Sequence, residues 1–163
     1  MKALASIVTV LVLTAPLGAD DLAQLTFLIG RWQAIDTAPG ENGSFTFELA
    51  VQDHVMLRRN EALYEATDRR PATRHDDLMT IYSEGGSLKA DYFDNEGHVI
   101  RYSVQPRGGN RVVFVSDAKT SEPRYRLSYS IGADGVLTGT FEIAAPGSGE
   151  AFKPYLSWRA RRR

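Results

Sequence analysis

The chain has 163 residues, of which 43% are hydrophobic and 24% are charged, and it contains no cysteine. This length suits one domain and is too short for two ordinary ones. The formal net charge of −1 gives no electrostatic reason to expect a nucleic-acid partner. Without cysteine there are no disulfides, so packing alone must hold the fold.

Residues 1–19 have the composition of a secretory signal peptide. Lys2 precedes an uncharged, largely apolar run that ends in small residues at Gly18 and Ala19. The run is shorter than the roughly 20 residues of a membrane-spanning helix. An uncleaved anchor is the alternative, because Leu17 is large for its place before the cleavage site. We predict cleavage after Ala19, a periplasmic or secreted domain over 20–163, and no membrane association after cleavage.

One short helix and a series of strands are predicted for the mature chain. The helix covers 20–29, where two aspartates suit the N-terminus and Leu22, Leu25 and Leu28 repeat every three residues. Alternating segments between turn residues then predict ten strands. The predicted strands are 31–36, 44–51, 54–63, 77–83, 87–93, 98–104, 111–116, 124–131, 136–143 and 154–160.

Most of the connections are too short for parallel crossovers, which need a dozen or more residues. The strands should therefore be antiparallel and should close into a barrel or pack as a sandwich, because open edges promote aggregation. Between the barrel and the sandwich, we predict the barrel: an all-β fold with about ten antiparallel strands in up-and-down order.

Two hairpins fix their own register. The segments 94–98 and 132–136 each fit a three-residue turn that ends with glycine in the left-handed region. A slip of one residue would mix apolar and polar faces and would separate an ion pair in each hairpin. The predicted pairs include Tyr92–Ile100, Ala90–Tyr102, Tyr129–Gly139, Leu127–Phe141 and Tyr125–Ile143 inside, with Asp91–Arg101 and Arg126–Glu142 outside.

The predicted inward faces are rich in aromatic side chains. A barrel of eight or more strands can enclose a small ligand, and phenol rings suit a partly apolar molecule with some polar atoms. We predict a cavity for a small apolar or amphipathic ligand; the alternative is that the same side chains fill a solid core. The predicted ligand contacts are Tyr92, Tyr102, Tyr125, Tyr129 and Phe47.

Arg59 is a further predicted ligand contact. Neither face of the strand 54–63 is cleanly apolar. If Val55 and Leu57 face inward, Arg59 enters the barrel and pairs either with Glu61 or with an anionic group of the ligand. The alternative is a mixed strand with Arg59 near the rim.

The two ends of the barrel sequence resemble a known superfamily. Gly30-Arg31-Trp32 opens the first strand after a short helix, and Trp158-Arg159-Ala160-Arg161 closes the last. This arrangement resembles the calycins, which include lipocalins and fatty-acid-binding proteins. The resemblance implies that Trp32 closes the base, with Arg159 or Arg161 lying across its indole ring.

Three longer runs look most like uncharacterised exported bacterial lipocalin-like proteins, a group that implies a fold and no agreed activity. The runs are 27–32, 92–98 and 141–147. Nitrobindin-type haem barrels are more distantly similar. Their iron ligand is a histidine near the C-terminus, and no histidine follows His98 here, so we expect no haem or other cofactor.

Other polar clusters carry weaker signals. His75-Asp76-Asp77 matches no metal-binding spacing, so no metal is predicted. Asp94 and His98 could form an acid–base pair, but an aspartate at that position more often caps the turn. No serine lies in a nucleophile elbow, and no catalytic residue is assigned.

The sequence favours an exported barrel that sequesters or carries a small, partly apolar ligand. One alternative is an isomerase or lyase on the same barrel that uses a tyrosine and Arg59. Another is a structural or envelope-interaction protein with a filled core. The sequence makes no prediction of the oligomeric state.

Overall fold

The computed structural model describes residues 22–163, so the predicted signal peptide over 1–19 lies outside the described residues. A 3-10 helix, Thr26–Leu28, precedes the first strand. The predicted helix over 20–29 begins outside the described part of the chain. Leu22, Leu25 and Leu28 are all buried. Within residues 22–163, no helix has the length and apolarity needed to cross a membrane.

Ten strands follow, and each predicted strand has an observed counterpart. The largest difference is in the fourth strand, which begins at Thr73 rather than at 77. The strands are β1 (Gly30–Ile35), β2 (Glu41–Ala50), β3 (Val55–Tyr64), β4 (Thr73–Glu84), β5 (Ser87–Asp94), β6 (Val99–Pro106), β7 (Arg111–Ser116), β8 (Arg124–Ile131), β9 (Leu137–Ala144) and β10 (Lys153–Arg162).

The strands form one closed antiparallel barrel. Each strand pairs with its neighbours in sequence, and β1 also pairs with β10. This closing pair places Trp32 opposite Arg162 and Ala34 opposite Ala160. Neither terminal strand leaves an open edge, which confirms the predicted all-β up-and-down barrel.

Both predicted hairpin registers are confirmed. Tyr92 lies opposite Ile100 in the β5–β6 pair, and Tyr129 lies opposite Gly139 in the β8–β9 pair. The turn glycines Gly97 and Gly135 have φ angles of 91° and 72°. The predicted turn type therefore sets the register, because this left-handed geometry strongly favours glycine.

The two ends of the barrel differ. We call the end at which β1 begins the base; the segment before β1 lies there beside the β6–β7 turn. We call the opposite end the mouth, and it carries the longer connections. The connecting segments at the mouth are 36–40, 65–72, 95–98, 117–123 and 145–152.

Trp32 closes the base, and its indole Nε1 donates a hydrogen bond to the carbonyl oxygen of Leu28 at 2.7 Å. The cation over the indole ring is Arg162, 4.8 Å from the ring centroid, so the prediction of Arg159 or Arg161 in this place is wrong. Side chains alternate along a strand, and the register places Arg162 beside Trp32. Arg159 lies on the outer face, where it forms an ion pair with Asp36.

Candidate functional site

The inward-facing side chains change from fully buried to partly exposed along the barrel axis. Towards the base, Met56, Met79, Ile81 and Leu137 are 0% exposed. Towards the mouth, inward-facing apolar residues pack on this core but remain partly exposed, and we call them the mouth cup. The mouth cup consists of Tyr92, Ile100, Tyr125, Phe141 and Trp158. The barrel is therefore filled at the base and lined by accessible rings at the mouth.

The predicted aromatic contacts divide between these two levels. Tyr92 and Tyr125 belong to the mouth cup, and Tyr125 stacks on Phe141 with ring centroids 5.7 Å apart. Tyr102 and Phe47 are 2% and 1% exposed, so they belong to the packed core.

Tyr129 forms the floor of the cup. It is completely buried, and its ring and that of Trp158 form a T-shaped contact with 5.8 Å between centroids. Tyr129 therefore joins the packed core to the mouth cup.

Arg59 does not enter the barrel, so its predicted inward position is wrong. Its side chain is 60% exposed, and its Nε lies 3.6 Å from Glu48 Oε1 on the outer face. The arginine inside is its neighbour Arg58, which is 5% exposed. Arg58 can be buried because β4 supplies a carboxylate, Asp77, to neutralise it.

Sequence reasoning missed Arg58 because its partner Asp77 lies 19 residues away, beyond the long loop 65–72. The length of that loop leaves the β3–β4 register open. Each face of this strand contains an arginine, so the alternation of polar and apolar residues did not show which arginine faces inward. The β3–β4 register, which pairs Arg58 with the buried Met79 and Asn60 with Asp77, fixes the inward face.

Arg58 and Asp77 form a buried ion pair beneath the mouth cup. Arg58 donates from Nη1 to Asp77 Oδ1, and Asn60 Nδ2 donates to Asp77 Oδ2 at 2.9 Å. The Arg58 guanidinium lies 5.6 Å from the ring centroid of Phe45 and 6.0 Å from that of Tyr129. The positive charge is therefore neutralised by a carboxylate and enclosed by aromatic rings.

Arg58 Nε and the Tyr129 hydroxyl are both buried here, and the Arg58 side chain is within hydrogen-bonding reach of the Tyr129 phenol. Burial raises the pKa of Tyr129 to about 12, against the opposing effect of the Arg58 charge. The phenol is therefore protonated near neutral pH and can donate. Buried polar groups are costly without partners, so the Arg58 guanidinium and the Tyr129 phenol stabilise each other in the barrel interior.

A chain of polar contacts runs from this floor to the rim of the mouth. His75 Nε2 lies 3.5 Å from Asp77 Oδ2 and 3.2 Å from the Tyr92 hydroxyl. The Tyr92 hydroxyl donates to Asp94 Oδ2 at 3.2 Å. Burial, together with the negative charges of Asp77 and Asp94, raises the pKa of Tyr92. Tyr92 is therefore a neutral donor that links the floor to the rim.

Asp94 caps the β5–β6 turn, which confirms the structural interpretation of this residue. Its Oδ1 accepts hydrogen bonds from the backbone amides of Glu96 at 3.0 Å and His98 at 2.9 Å. Although burial opposes it, these bonds and the His98 ring lower the pKa of Asp94. The Asp94 carboxylate, 2.8 Å from Nδ1, raises the pKa of His98.

A concavity of about 610 Å³ lies along β2 to β5. Most of its lining residues, such as Arg59 and Phe93, face outward, and Asn60, Asp77 and Asp94 from the inward face line it too. This open groove is the concavity that contains Arg59, and it differs from the interior cavity that the sequence predicted for that residue.

No group of three or more His, Cys, Asp or Glu side chains within residues 22–163 is arranged to hold a metal ion. No protein-family model matches the sequence, and no curated protein matches it significantly. The structure defines the class of the fold, a closed ten-stranded antiparallel β-barrel that is compatible with a lipocalin-like architecture.

Proposed function

We propose that this protein is a lipocalin-like binding protein of the calycin type, which holds a small, partly apolar molecule in its mouth cup. It would act by sequestration or transport in the periplasm or outside the cell. The observation that carries the proposal is the set of partly exposed, inward-facing apolar side chains at the mouth of a closed barrel.

The chemistry of the cup suits a flat ligand with one polar end. The stacked rings of Tyr125 and Phe141 offer apolar surface for the body of the ligand. Nearer the rim, the Tyr92 hydroxyl and the His75 ring supply polar atoms for its polar end. The apolar surface would provide affinity, and the polar atoms would orient the ligand.

The isomerase or lyase alternative has less support, because it relied on Arg59, which lies on the outer face. A filled core is the second candidate: it agrees with the fully buried base, and rings at the end of a filled barrel also reach solvent. Export from the cytoplasm is supported by the composition of residues 1–19.

Native mass spectrometry of protein purified from its own cells tests the proposal directly. We expect a species heavier than the polypeptide by the mass of one small molecule. A complementary assay uses the neutral fluorescent probe 1-aminoanthracene, whose emission increases in apolar surroundings.

A matched pair of variants locates the bound probe. Ala62 lies on the inward face of β3, level with His75, and is partly exposed, whereas its neighbour Leu63 points outward and is 38% exposed. Ala62→Phe should fill the mouth and weaken probe binding ~10-fold or more, and Leu63→Phe should not. Equal binding by both variants, or no bound molecule and no probe binding, would contradict the proposed function.

A further inference from the structure

Four arginines come together at the base of the barrel, where β1 begins and β10 ends. We call them the basic corner: Arg31, Arg161, Arg162 and Arg163. The backbone N–H of Arg163 donates to the carbonyl oxygen of Arg31 at 2.9 Å, and the register places Arg162 opposite Trp32. All four arginines are exposed. Closure of the barrel therefore gathers residues from the first and last strands into one patch of positive charge.

The residues around the basic corner do not neutralise it. The segment that precedes β1, 22–29, contains no charged residue. On the neighbouring β2, Glu48 is paired with Arg59, and in the β8–β9 turn Asp134 lies 3.8 Å from Arg159. Within the described part of the chain, none of the four arginines has an acidic side chain at ion-pair distance.

The arrangement of these charges is unfavourable for the barrel on its own. Like charges at facing positions of adjacent strands repel each other and reduce stability. Arg31 and Arg163 are such neighbours, and Arg161 lies on the same outer face, two residues before Arg163. An anionic surface laid over the basic corner would replace this repulsion with attraction. The cluster therefore indicates a partner that carries several negative charges.

The opposite end of the barrel carries the opposite charge. The five connecting segments at the mouth contain seven acidic and three basic residues, which gives them a net charge of −4 with neutral histidine. An anionic surface would attract the basic corner and repel the mouth. The two ends together therefore favour one orientation, in which the base faces the anionic surface and the mouth faces away from it.

The segments next to the basic corner favour a lipid surface over other polyanions. Residues 1–19 have the composition of a membrane-directed signal, and the segment 22–29, which follows after only two residues, leads into the base. In that segment the carbonyl oxygen of Phe27 accepts a hydrogen bond from Arg162 Nη2 at 2.9 Å, and the Phe27 side chain is partly exposed. Aromatic and basic side chains placed together are typical of surfaces that bind the membrane interface.

We propose that the basic corner is a docking surface for membranes that contain anionic lipids, and that the docked barrel holds its mouth away from the bilayer. The composition of residues 1–19 led us to expect an exported domain that leaves the membrane. Docking through charge returns that domain to the membrane surface without a spanning segment. The inference does not depend on ligand binding in the mouth cup, which lies at the other end of the barrel.

Vesicle co-sedimentation tests the docking surface, with protein purified from its own cells. The anionic vesicles contain phosphatidylglycerol and phosphatidylcholine in equal parts, and the control vesicles contain phosphatidylcholine alone. We expect binding to the anionic vesicles that weakens as the salt concentration rises, because salt screens exposed charges, and little binding to the control vesicles. Equal binding to both kinds of vesicle would overturn the inference.

A matched pair of double variants locates the contact. Arg31→Gln with Arg163→Gln removes two charges from the basic corner and should weaken binding to anionic vesicles ~10-fold or more. Arg69→Gln with Arg70→Gln removes two charges from the exposed loop 65–72 at the mouth and should leave the affinity almost unchanged. Equal losses in the two double variants would show that net charge alone controls binding, and the docking surface would be wrong.

A charge-preserving variant separates attraction to lipid from loss of the fold. Arg31→Lys with Arg163→Lys should retain binding, and a loss as large as that of the glutamine variant would contradict docking through charge. Far-UV circular dichroism should show the same fold in all variants. A wild type that binds a single-stranded oligonucleotide more tightly than anionic vesicles would also overturn the inference. If the wild type docks on vesicles but does not bind 1-aminoanthracene, only the proposed function of the mouth cup fails.

Discussion

The indole of Trp158 lies directly against Gly139, its cross-strand partner on β9. A Cβ atom at Gly139 would lie only 2.2 Å from Cε2 of the indole. Tyr129 is paired with Gly139 from the other side, on β8, and the two rings meet at a centroid distance of 5.8 Å. Because Gly139 has no side chain, Trp158 of the mouth cup can pack against Tyr129, the floor of the cup.

Gly139→Ala should therefore destabilise the protein by about 1–3 kcal/mol, because the extra methyl group overpacks this contact. The measurement is the free energy of unfolding in urea. Gly43→Ala is the control, since a Cβ there would meet only ordinary contacts of 3.5 Å and 3.7 Å. This variant should lose no free energy of unfolding. Equal stability of the two variants would show that Trp158 does not occupy the space above Gly139.

Arg58→Met should destabilise the protein by about 3–5 kcal/mol, because it leaves Asp77 buried without its ionic partner. Adding Asp77→Leu should recover much of that loss, since the second change removes the unpaired charge. Arg59→Met, which breaks only the exposed contact with Glu48, should cost less than about 1 kcal/mol. Similar losses for Arg58→Met and Arg59→Met in denaturant unfolding would refute the assignment of β3 faces.

The Asp94–His98 pair should respond to pH in a defined window. Because the folded-state pKa of His98 is raised, its contribution to stability is complete below the ordinary imidazole pKa and is lost as pH rises through the raised value. Because the pKa of Asp94 is lowered, its contribution is present above the ordinary carboxyl pKa and is lost as pH falls through the lowered value.

Asp94→Asn should accordingly move the pKa of His98 down towards that of free histidine, as measured by NMR titration of the ring protons. Glu96→Gln is the control, because its carboxylate lies 3.9 Å from the His98 ring and should have a smaller effect. A larger shift in Glu96→Gln than in Asp94→Asn would contradict the assigned pairing.

The base should depend on Arg162 and not on its neighbour in sequence. Arg162→Gln removes the cation over Trp32 and the hydrogen bond to the carbonyl of Phe27, and it should cost about 0.5–2 kcal/mol. Arg161→Gln should leave the free energy of unfolding almost unchanged, because Arg161 is exposed. The two variants can be compared by thermal unfolding, and a greater loss in Arg161→Gln would count against the observed register of β10.

Local patterns were enough to predict the strands and two of their pairings. In the β5–β6 and β8–β9 hairpins, a turn glycine and the alternation of apolar side chains lie within a few residues of each other. A short turn fixes the register by its own geometry, and one wrong step would expose every inward side chain. Tyr92, Tyr125 and Tyr129 were therefore placed inside correctly.

The sequence by itself determined the ten strands, their antiparallel order and the aromatic interior, because these depend on contacts between near neighbours in the chain. Only the tertiary structure decided that Arg58 rather than Arg59 is buried and that Arg162 rather than Arg159 or Arg161 covers Trp32. Both choices depend on partners across long separations: Asp77 beyond an eight-residue loop, 65–72, and the first strand at the other end of the chain. Closure of the barrel sets the register between β1 and β10, which places Arg162 beside Trp32. Arg58 can be buried only because Asp77 lies beside it.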